Sequence, residues 1–584
     1  MLRPFASRSD VRPARVFPVV EVKMRSLIVL SAALILLASC AASSPRESAE
    51  RLVLSGPRFW TGDVQHPWAD ALVVEEGRIV AVLDRRAIGR ELAGGGVVRQ
   101  LPGAFAAPAL ADAHAHILGY GKSLDRVDLV GATSLEEVLE RVRAFAAAHP
   151  GKGWILGRGW DQNDWPRHGW PDADRLEQVV PDRPCALSRI DGHALWVNRT
   201  ALAIADIDGR TPDPPGGAIH RDPSGRPTGI LIDNAEQLIE SVIPPLSSEQ
   251  RDAALEAAAR ALVAAGLATV HDMGVDRATW QAMVRLASAG RFPLRVFAYA
   301  SAGGPLHRSL LESGPRSEGR LHLVGVKFYA DGALGSRGAR LSEPYSDQGD
   351  SRGLWVTDPA TLRKSIGEAL RAGLQPAVHA IGDEANRVVI DIFIEALADL
   401  PAPPSLPPRL EHAQILDPAD IRRAARAGIV VSMQPTHATS DMPWVEQRLG
   451  AGRLAGAYAW KSFLDAGARL VFGSDFPVES IDPRRGLYAA VTRQDRRGRP
   501  PGGWLAEQRV DLATAFAAMT SAPAAAVGRQ ADLGRLVEGT ACDLTVFAHD
   551  PFEQPPRKLL DNPVVATVID GHVFLPPREG EREP

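Results

Sequence analysis

Six side chains able to hold a metal, His114, His116, Lys327, His379, His412 and Asp475, each stand at or just past the end of a short apolar run. That placement constrains the fold more than any other feature. A parallel (β/α)8 barrel delivers its working groups from the C-terminal ends of its strands. The first run, Ala106 to His116, carries two imidazoles two positions apart. Side chains alternate along a strand, so both can face one barrel mouth and share an ion. Imidazole suits zinc and similar borderline metals. A lone His-x-His in an alanine-rich stretch is as readily a polar corner; the later members of the set turn the balance toward a metal site.

Seven further strand-like runs follow, at 266–274, 294–300, 321–332, 375–383, 409–416, 428–435 and 468–477. Between them lie Ala-, Leu- and Arg-rich stretches of helical character, such as Asp252 to Ala265 and Pro359 to Ala372. This alternation predicts an α/β fold built on a (β/α)8 TIM barrel. A barrel of about 250 residues allots roughly 31 to each strand-plus-helix unit. His379 and His412 are 33 residues apart, one unit, and Asp475 lies 63 beyond His412, two units. Those groups then fall on the fifth, sixth and eighth strands. From His116 to Gly266 is 150 residues, so a large insertion, about 120–265, is expected after strand 1.

Several longer motifs stand in order along the chain: DAHAH at 112–116, GRGWDQNDW at 157–165, SRIDGHALWVN at 188–198, PPGGAIHRDPSGRPTGIL at 214–231, VKFYADGALGSR at 326–337, HAIGDEANR at 379–387, EHAQ at 411–414 and GSDFP at 473–477. With these the chain resembles the amidohydrolase superfamily, in amidohydrolase family 3, the subgroup similar to N-substituted formamide deformylases, from about Arg51 to Phe574. One departure is Pro108-Ala109-Leu110, where relatives usually have Pro-Gly-Phe; the ligands are untouched.

The resemblance implies that His114 and His116 hold the more buried metal with Asp475, that His379 and His412 hold the second, and that Lys327, carboxylated by carbon dioxide, bridges the two. An ammonium beside two dications would be repelled, whereas a carbamate is anionic. The alternative for Lys327 is a strand lysine reaching solvent or pairing with Asp331; its neighbours Val324, Val326 and Phe328 favour burial. Two zinc ions are expected, with iron and manganese as alternatives. A divalent ion lowers the pKa of its water to about 7 and polarises a carbonyl, and Asp475 is placed to take the proton as general base.

Within the insertion, Asp191-Gly192-His193 follows a short apolar run, and His193 could donate to a substrate carbonyl. Trp154, Trp160, Trp165, Trp170 and Trp196 fall within 43 residues, five of the chain's 12 tryptophans, which suits either an apolar lid or the core of the inserted part. Trp160, Asp161, Asn163 and Asp191 are the candidates for contact with substrate. Arg337 could clamp an anionic group or form a loop salt bridge, and Asp383 reads as a helix N-cap.

The chain has 584 residues and 45% hydrophobic content, enough for a large core and more than one domain, and its net charge of −4 gives no basic surface for nucleic acid. Pro401 to Pro408 reads as a rigid connector. Both chain ends, 51–107 and 530–576, read as short strands that close one small β-sandwich around a barrel domain at 108–529. Residues 1–40 resemble a bacterial lipoprotein signal, with Lys23 and Arg25 before an apolar stretch and Cys40 as the lipidated residue. A lipid-anchored protein of the cell envelope, on the periplasmic face of the outer membrane, is expected. Met24 is an alternative start. Cys185 and Cys542 then remain, and no disulfide framework is expected.

The leading expectation is therefore a hydrolase that cleaves a non-peptide carbon–nitrogen bond in an amide, cyclic amide or N-substituted formamide of a small molecule. A lactone or ester hydrolase on the same metals, or an inactive binding lipoprotein, are the alternatives.

Overall fold

A computed structural model describes residues 51–577. Eight parallel strands form the central sheet: β1 (Leu110–Ala115), β2 (Leu267–Val275), β3 (Arg295–Ser301), β4 (Leu321–Tyr329), β5 (Gln375–Ala380), β6 (Arg409–His412), β7 (Val430–Met433) and β8 (Arg469–Phe472). Each pairs with the next in chain order from β1 to β8, with one short antiparallel strand, Arg316–Glu318, added beside β4. The eight expected runs thus become eight barrel strands, most of them shorter than their apolar stretches. The first run divides: Phe105–Pro108 joins another sheet, and only Leu110–Ala115 enters the barrel. His116 and Asp475 lie just beyond their strands rather than in them.

No β1–β8 ladder closes the ring, but the segment after β8 stitches back to β1. Asp475 N–H donates to His114 O at 2.7 Å, and His116 N–H donates to Phe476 O at 2.9 Å. The buried Asp112 carboxylate accepts from His114 N–H at 3.1 Å, Ser474 N–H at 3.0 Å and the Ser474 hydroxyl at 2.5 Å. Gly473 is required here: a Cβ would stand 2.5 Å from His114 N and 2.7 Å from Asp112 Oδ1. Any side chain at 473 would push β8 off the first metal-site strand.

Amphipathic helices cover the barrel. Ser248–Ala264 precedes β2 with a capping box from Ser247 and Gln250, and Pro359–Arg371 precedes β5 with Asp358 as N-cap. The first buries Leu255, Leu262 and Val263, and the second Leu362, Ile366 and Leu370. Each such side chain removed from water contributes about 1.5–3 kcal/mol before entropy is counted. The expected N-cap at Asp383 is corrected. The helix Asp383–Ala398 starts from Gly382, with no side-chain cap, and the Asp383 carboxylate instead accepts from Ser342 N–H at 2.8 Å. Asp331, buried, takes the adjacent amides of Ile381 and Gly382 at 3.0 and 2.9 Å, which leaves Asp383 free to anchor the neighbouring loop.

Two other sheets flank the barrel. One takes strands from both chain ends: Phe105–Pro108 pairs antiparallel with Leu544–Phe547, which joins the hairpin of Trp68–Glu75 and Arg78–Leu83, through Leu52–Trp60, to Val564–Ile569. The other has six strands between Val127 and Asp233, and it carries apolar clusters that hold Trp160, Trp165 and Trp196 on one side and Leu195, Leu202 and Leu231 on the other. Cys185, at the start of a strand of the second sheet, and Cys542, two residues before the strand Leu544–Phe547 of the first, are buried free thiols. Among the described residues no helix is long and apolar enough to cross a membrane. Cys40 and the expected signal segment lie outside the described residues.

Candidate active site

Three imidazoles point a nitrogen lone pair at one carboxylate. His114 Nδ1–H donates to Glu411 at 2.6 Å, His116 Nδ1–H to Met273 O at 2.7 Å, and His412 Nδ1–H to the Gln434 side-chain carbonyl at 2.9 Å. An imidazole that donates through Nδ1 keeps its lone pair on Nε2, the arrangement that metal-binding histidines use. His116 Nε2 lies 3.1 Å and His114 Nε2 3.6 Å from Asp475 Oδ1, an oxygen that is buried and has no hydrogen-bond donor. Ligand atoms of His114, His412 and Asp475 all lie within 4.8 Å of one another. A buried anionic oxygen without donors, faced by lone pairs, is costly unless a cation stands among them, so the donor set fits a divalent metal.

Backbone conformation aims two of these groups. Asp475 has φ 62° and His412 has φ 72°, the left-handed region that costs an ordinary residue about 1–3 kcal/mol.

The other two expected ligands adjoin this group. Lys327 is buried on β4 with Nζ 3.0 Å from His114 Nε2. Burial lowers its pKa to about 8, so a neutral amine is accessible near physiological pH. No ion pair joins it to Asp331, whose carboxylate is spent on backbone amides. His379 lies beside His412 with ring centroids 4.6 Å apart, and Tyr329 pairs with it across β4 and β5. The tightest group therefore draws histidines from both expected ion positions, His114 from one and His412 from the other.

Beneath the site, Glu411 links His114 to Arg409, whose Nε lies 2.7 Å from Glu411 Oε1. Burial would raise the Glu411 acid, but Arg409 and His114 outweigh it and hold it far below the ordinary carboxylate range. Burial and the Lys327 ammonium lower His114 to about 4 despite Glu411, so His114 is a neutral ring bonded to an anion. Arg409 also meets His271 Nδ1 at 2.7 Å.

His193 reaches the site from the six-stranded sheet, its ring centroid 5.0 Å from that of His379. Its Nδ1 lies 2.6 Å from Asp233 Oδ1. Burial opposes charge on both; the Asp233 carboxylate nevertheless raises His193, and burial raises Asp233. Asp233 itself has φ 50°, and a Cβ at Gly332 or Gly338 would come within 2.5 or 2.7 Å of its carboxylate. The loop after β4 is shaped around this acid.

The remaining candidates stand behind His193. Trp160 is fully buried in the apolar cluster on one side of the six-stranded sheet, with Nε1–H donating to Leu187 O at 2.7 Å. Asp161 and Asp191 both pair with the buried Arg189, and Asp191 also accepts from His193 N–H at 3.1 Å. Asn163 accepts from Arg448 at 2.7 Å. Arg337 pairs with Asp347 at 2.8 Å, the loop salt bridge weighed as its alternative.

Sequence reading missed Glu411, Asp233 and His437. Glu411 sits in the EHAQ motif beside a candidate ligand, which was the available signal. His437, on the helix Pro435–Asp441 after β7, has Nε2 3.8 Å from Asp475 Oδ2 and no hydrogen-bond partner. Gln414 donates to its Nδ1 at 3.3 Å, which places the proton on Nε2. Nothing in THATSD distinguished it.

Residues 98–574 match the amidohydrolase family. The chain belongs to that family. Within it, the chain is 35% identical to the amidohydrolase-named YtcJ of Bacillus subtilis over 480 residues, 81% of this chain and 89% of that protein. It is 26% identical to an N-substituted formamide deformylase of Arthrobacter pascens over 537 residues, 89% of this chain and 97% of the other. Among solved structures it is similar to an uncharacterized metal-dependent hydrolase of Pyrococcus horikoshii OT3, with a TM-score of 0.70 and 28% identity, covering 86% of this chain and 99% of that one. This amidohydrolase is accordingly a hydrolase with a candidate metal site at His114, His412 and Asp475.

Proposed function

We propose that this amidohydrolase cleaves a non-peptide carbon–nitrogen bond in an amide, cyclic amide or N-substituted formamide. Two zinc ions would be held by His114, His116, His379, His412, Asp475 and a carboxylated Lys327. The observation that carries the reading is the convergence of three histidines on the donorless Asp475 oxygen, with the Lys327 amine beside His114 Nε2. The similarity to a formamide deformylase supports the bond type.

Divalent ions held by these residues would acidify a water and polarise the carbonyl under attack. Asp475 would accept the proton of the attacking water and pass it to the leaving nitrogen, which must be protonated before it departs. His193, oriented by Asp233, donates to the carbonyl oxygen as charge develops on it, and His437 Nε2–H, 3.8 Å from Asp475 Oδ2, supplies a second donor. Glu411 fixes the His114 ring. Trp160, Asp161, Asn163 and Asp191 serve substrate binding as the packed wall behind His193, and Arg337 through the loop it shares with Asp347.

In this reading 108–529 is the catalytic barrel domain with the sheet of Val127 to Asp233 inserted on its catalytic face, and 51–107 with 530–576 form the small β-sandwich. Residues 1–40 direct the protein to the envelope, where lipid on Cys40 anchors it at the outer membrane. The test is metal removal: chelated protein assayed on a panel of amides, cyclic imides, formamides and lactones loses turnover and regains it with zinc. Turnover undiminished in metal-free protein rejects the reading. Cys40→Ala should release the protein from the membrane fraction.

A further inference from the structure

Arg158 belongs to the GRGWDQNDW motif, yet nothing above uses it. It lies on the strand Ile155–Trp160, where Ile155 and Gly157 are buried against the inserted core. Alternation along the strand therefore turns Arg158 to the other face. There its guanidinium donates to Pro477 O and to Ile190 O. Pro477 is two residues past Asp475, and Ile190 immediately precedes Asp191, so Arg158 sits between the loop of the candidate base and the loop of His193.

This cation has no carboxylate of its own. Among the described residues no acidic oxygen lies within 4.0 Å of it; Asp191 is engaged by Arg189, and Asp475 faces His116. A guanidinium has five N–H donors, and two suffice for the two carbonyls. Burial lowers Arg158 to about 10, with Asp475, Asp191 and Glu479 compensating only from a distance. Arg126, also without an ion pair within 4.0 Å, adds its positive field to Arg158, and half-buried Lys122 follows His116 on the helix Ile117–Ser123. Partly buried cations are ordinarily paired.

We propose that Arg158 binds a carboxylate carried by the substrate, so that the preferred substrates are amides bearing an acid group near the scissile bond. The word amide rests on the carbon–nitrogen reading above; the carboxylate does not. A planar guanidinium with three free N–H groups matches a carboxylate in geometry and charge, and such charge-assisted contacts are the strong ones.

The experiment separates the two readings. Calorimetry measures binding of 3-phenylpropanoate and of the neutral 3-phenylpropan-1-ol to chelator-treated and to zinc-loaded full-length protein. A loaded metal could attract the acid by itself, and the chelated sample removes that route. The expected result is about ten- to hundredfold tighter binding of the acid in both samples. Arg158→Gln brings the ratio near one, and Arg158→Lys, which keeps charge without the planar fork, reduces it several-fold. A ratio near one in the native protein, an acid preference confined to the zinc-loaded sample, or a full preference retained by both variants overturns the proposal. Turnover of N-formylphenylalanine and N-formylphenethylamine is assayed alongside. Acid-selective binding without hydrolysis of either compound leaves Arg158 in its role and counts against the carbon–nitrogen reading.

Discussion

The Glu411 carboxylate accepts from His114 Nδ1 at 2.6 Å while its other oxygen meets Arg409 Nε at 2.7 Å, and all three side chains are buried. The contact fixes both the tautomer and the plane of His114, so that Nε2 faces Asp475.

Replacing Glu411 with Gln should weaken zinc binding by about 10–100-fold, the usual cost of losing such an outer partner. Competition with a chromophoric chelator measures it. Because Arg409 and His114 depress the Glu411 acid, its stabilisation is present above the ordinary glutamate value of 4.5 and is lost as pH falls toward the folded value. The native protein should therefore lose thermal stability on acidification below about pH 4.5, and E411Q should show a flatter acid limb in the same melting series.

Asp475→Asn keeps the size of the side chain and its place at the left-handed turn but removes the base. Turnover should fall by at least about 10²–10⁴-fold, with the far-ultraviolet circular dichroism preserved. Near-native kcat would reject the base role.

Asp233→Asn keeps the shape around Gly332 and Gly338 but takes the negative charge from His193. We expect kcat to fall by about 10²-fold with little change in zinc content. A variant that loses metal and activity together would make Asp233 structural instead.

His437→Ala removes a donor that has no other partner, so the fold should tolerate it. kcat should fall by about 10-fold or more with KM nearly constant, if the Nε2–H bonds charge that develops only in the transition state. Steady-state kinetics on the best substrate from the panel decides this.

The barrel was legible because parallel strands covered on both faces read as apolar runs at a regular interval, and five of the eight carried a residue whose chemistry could be named. The shortened strands show the limit: hydrogen-bonded pairing stops at His412 and Phe472, although the apolar runs continue to 416 and 477. Asp383 shows another, since a local motif favours a cap but a distant carboxylate, Asp331, already holds the adjoining amides.

Eight apolar runs alternating with helical stretches, with the order and spacing of His114, His116, Lys327, His379, His412 and Asp475, pointed from sequence alone to an eightfold parallel architecture with a metal-binding mouth. Only the folded chain decided which nitrogen of each ring faces inward, through Glu411, Met273 O and Gln434, and which acid steadies His193. Spacing along a chain is local and periodic, so sequence carries it. A hydrogen bond between positions 114 and 411, or 193 and 233, depends on where separate strands come to rest, and that is set by closure of the barrel and packing of the six-stranded sheet.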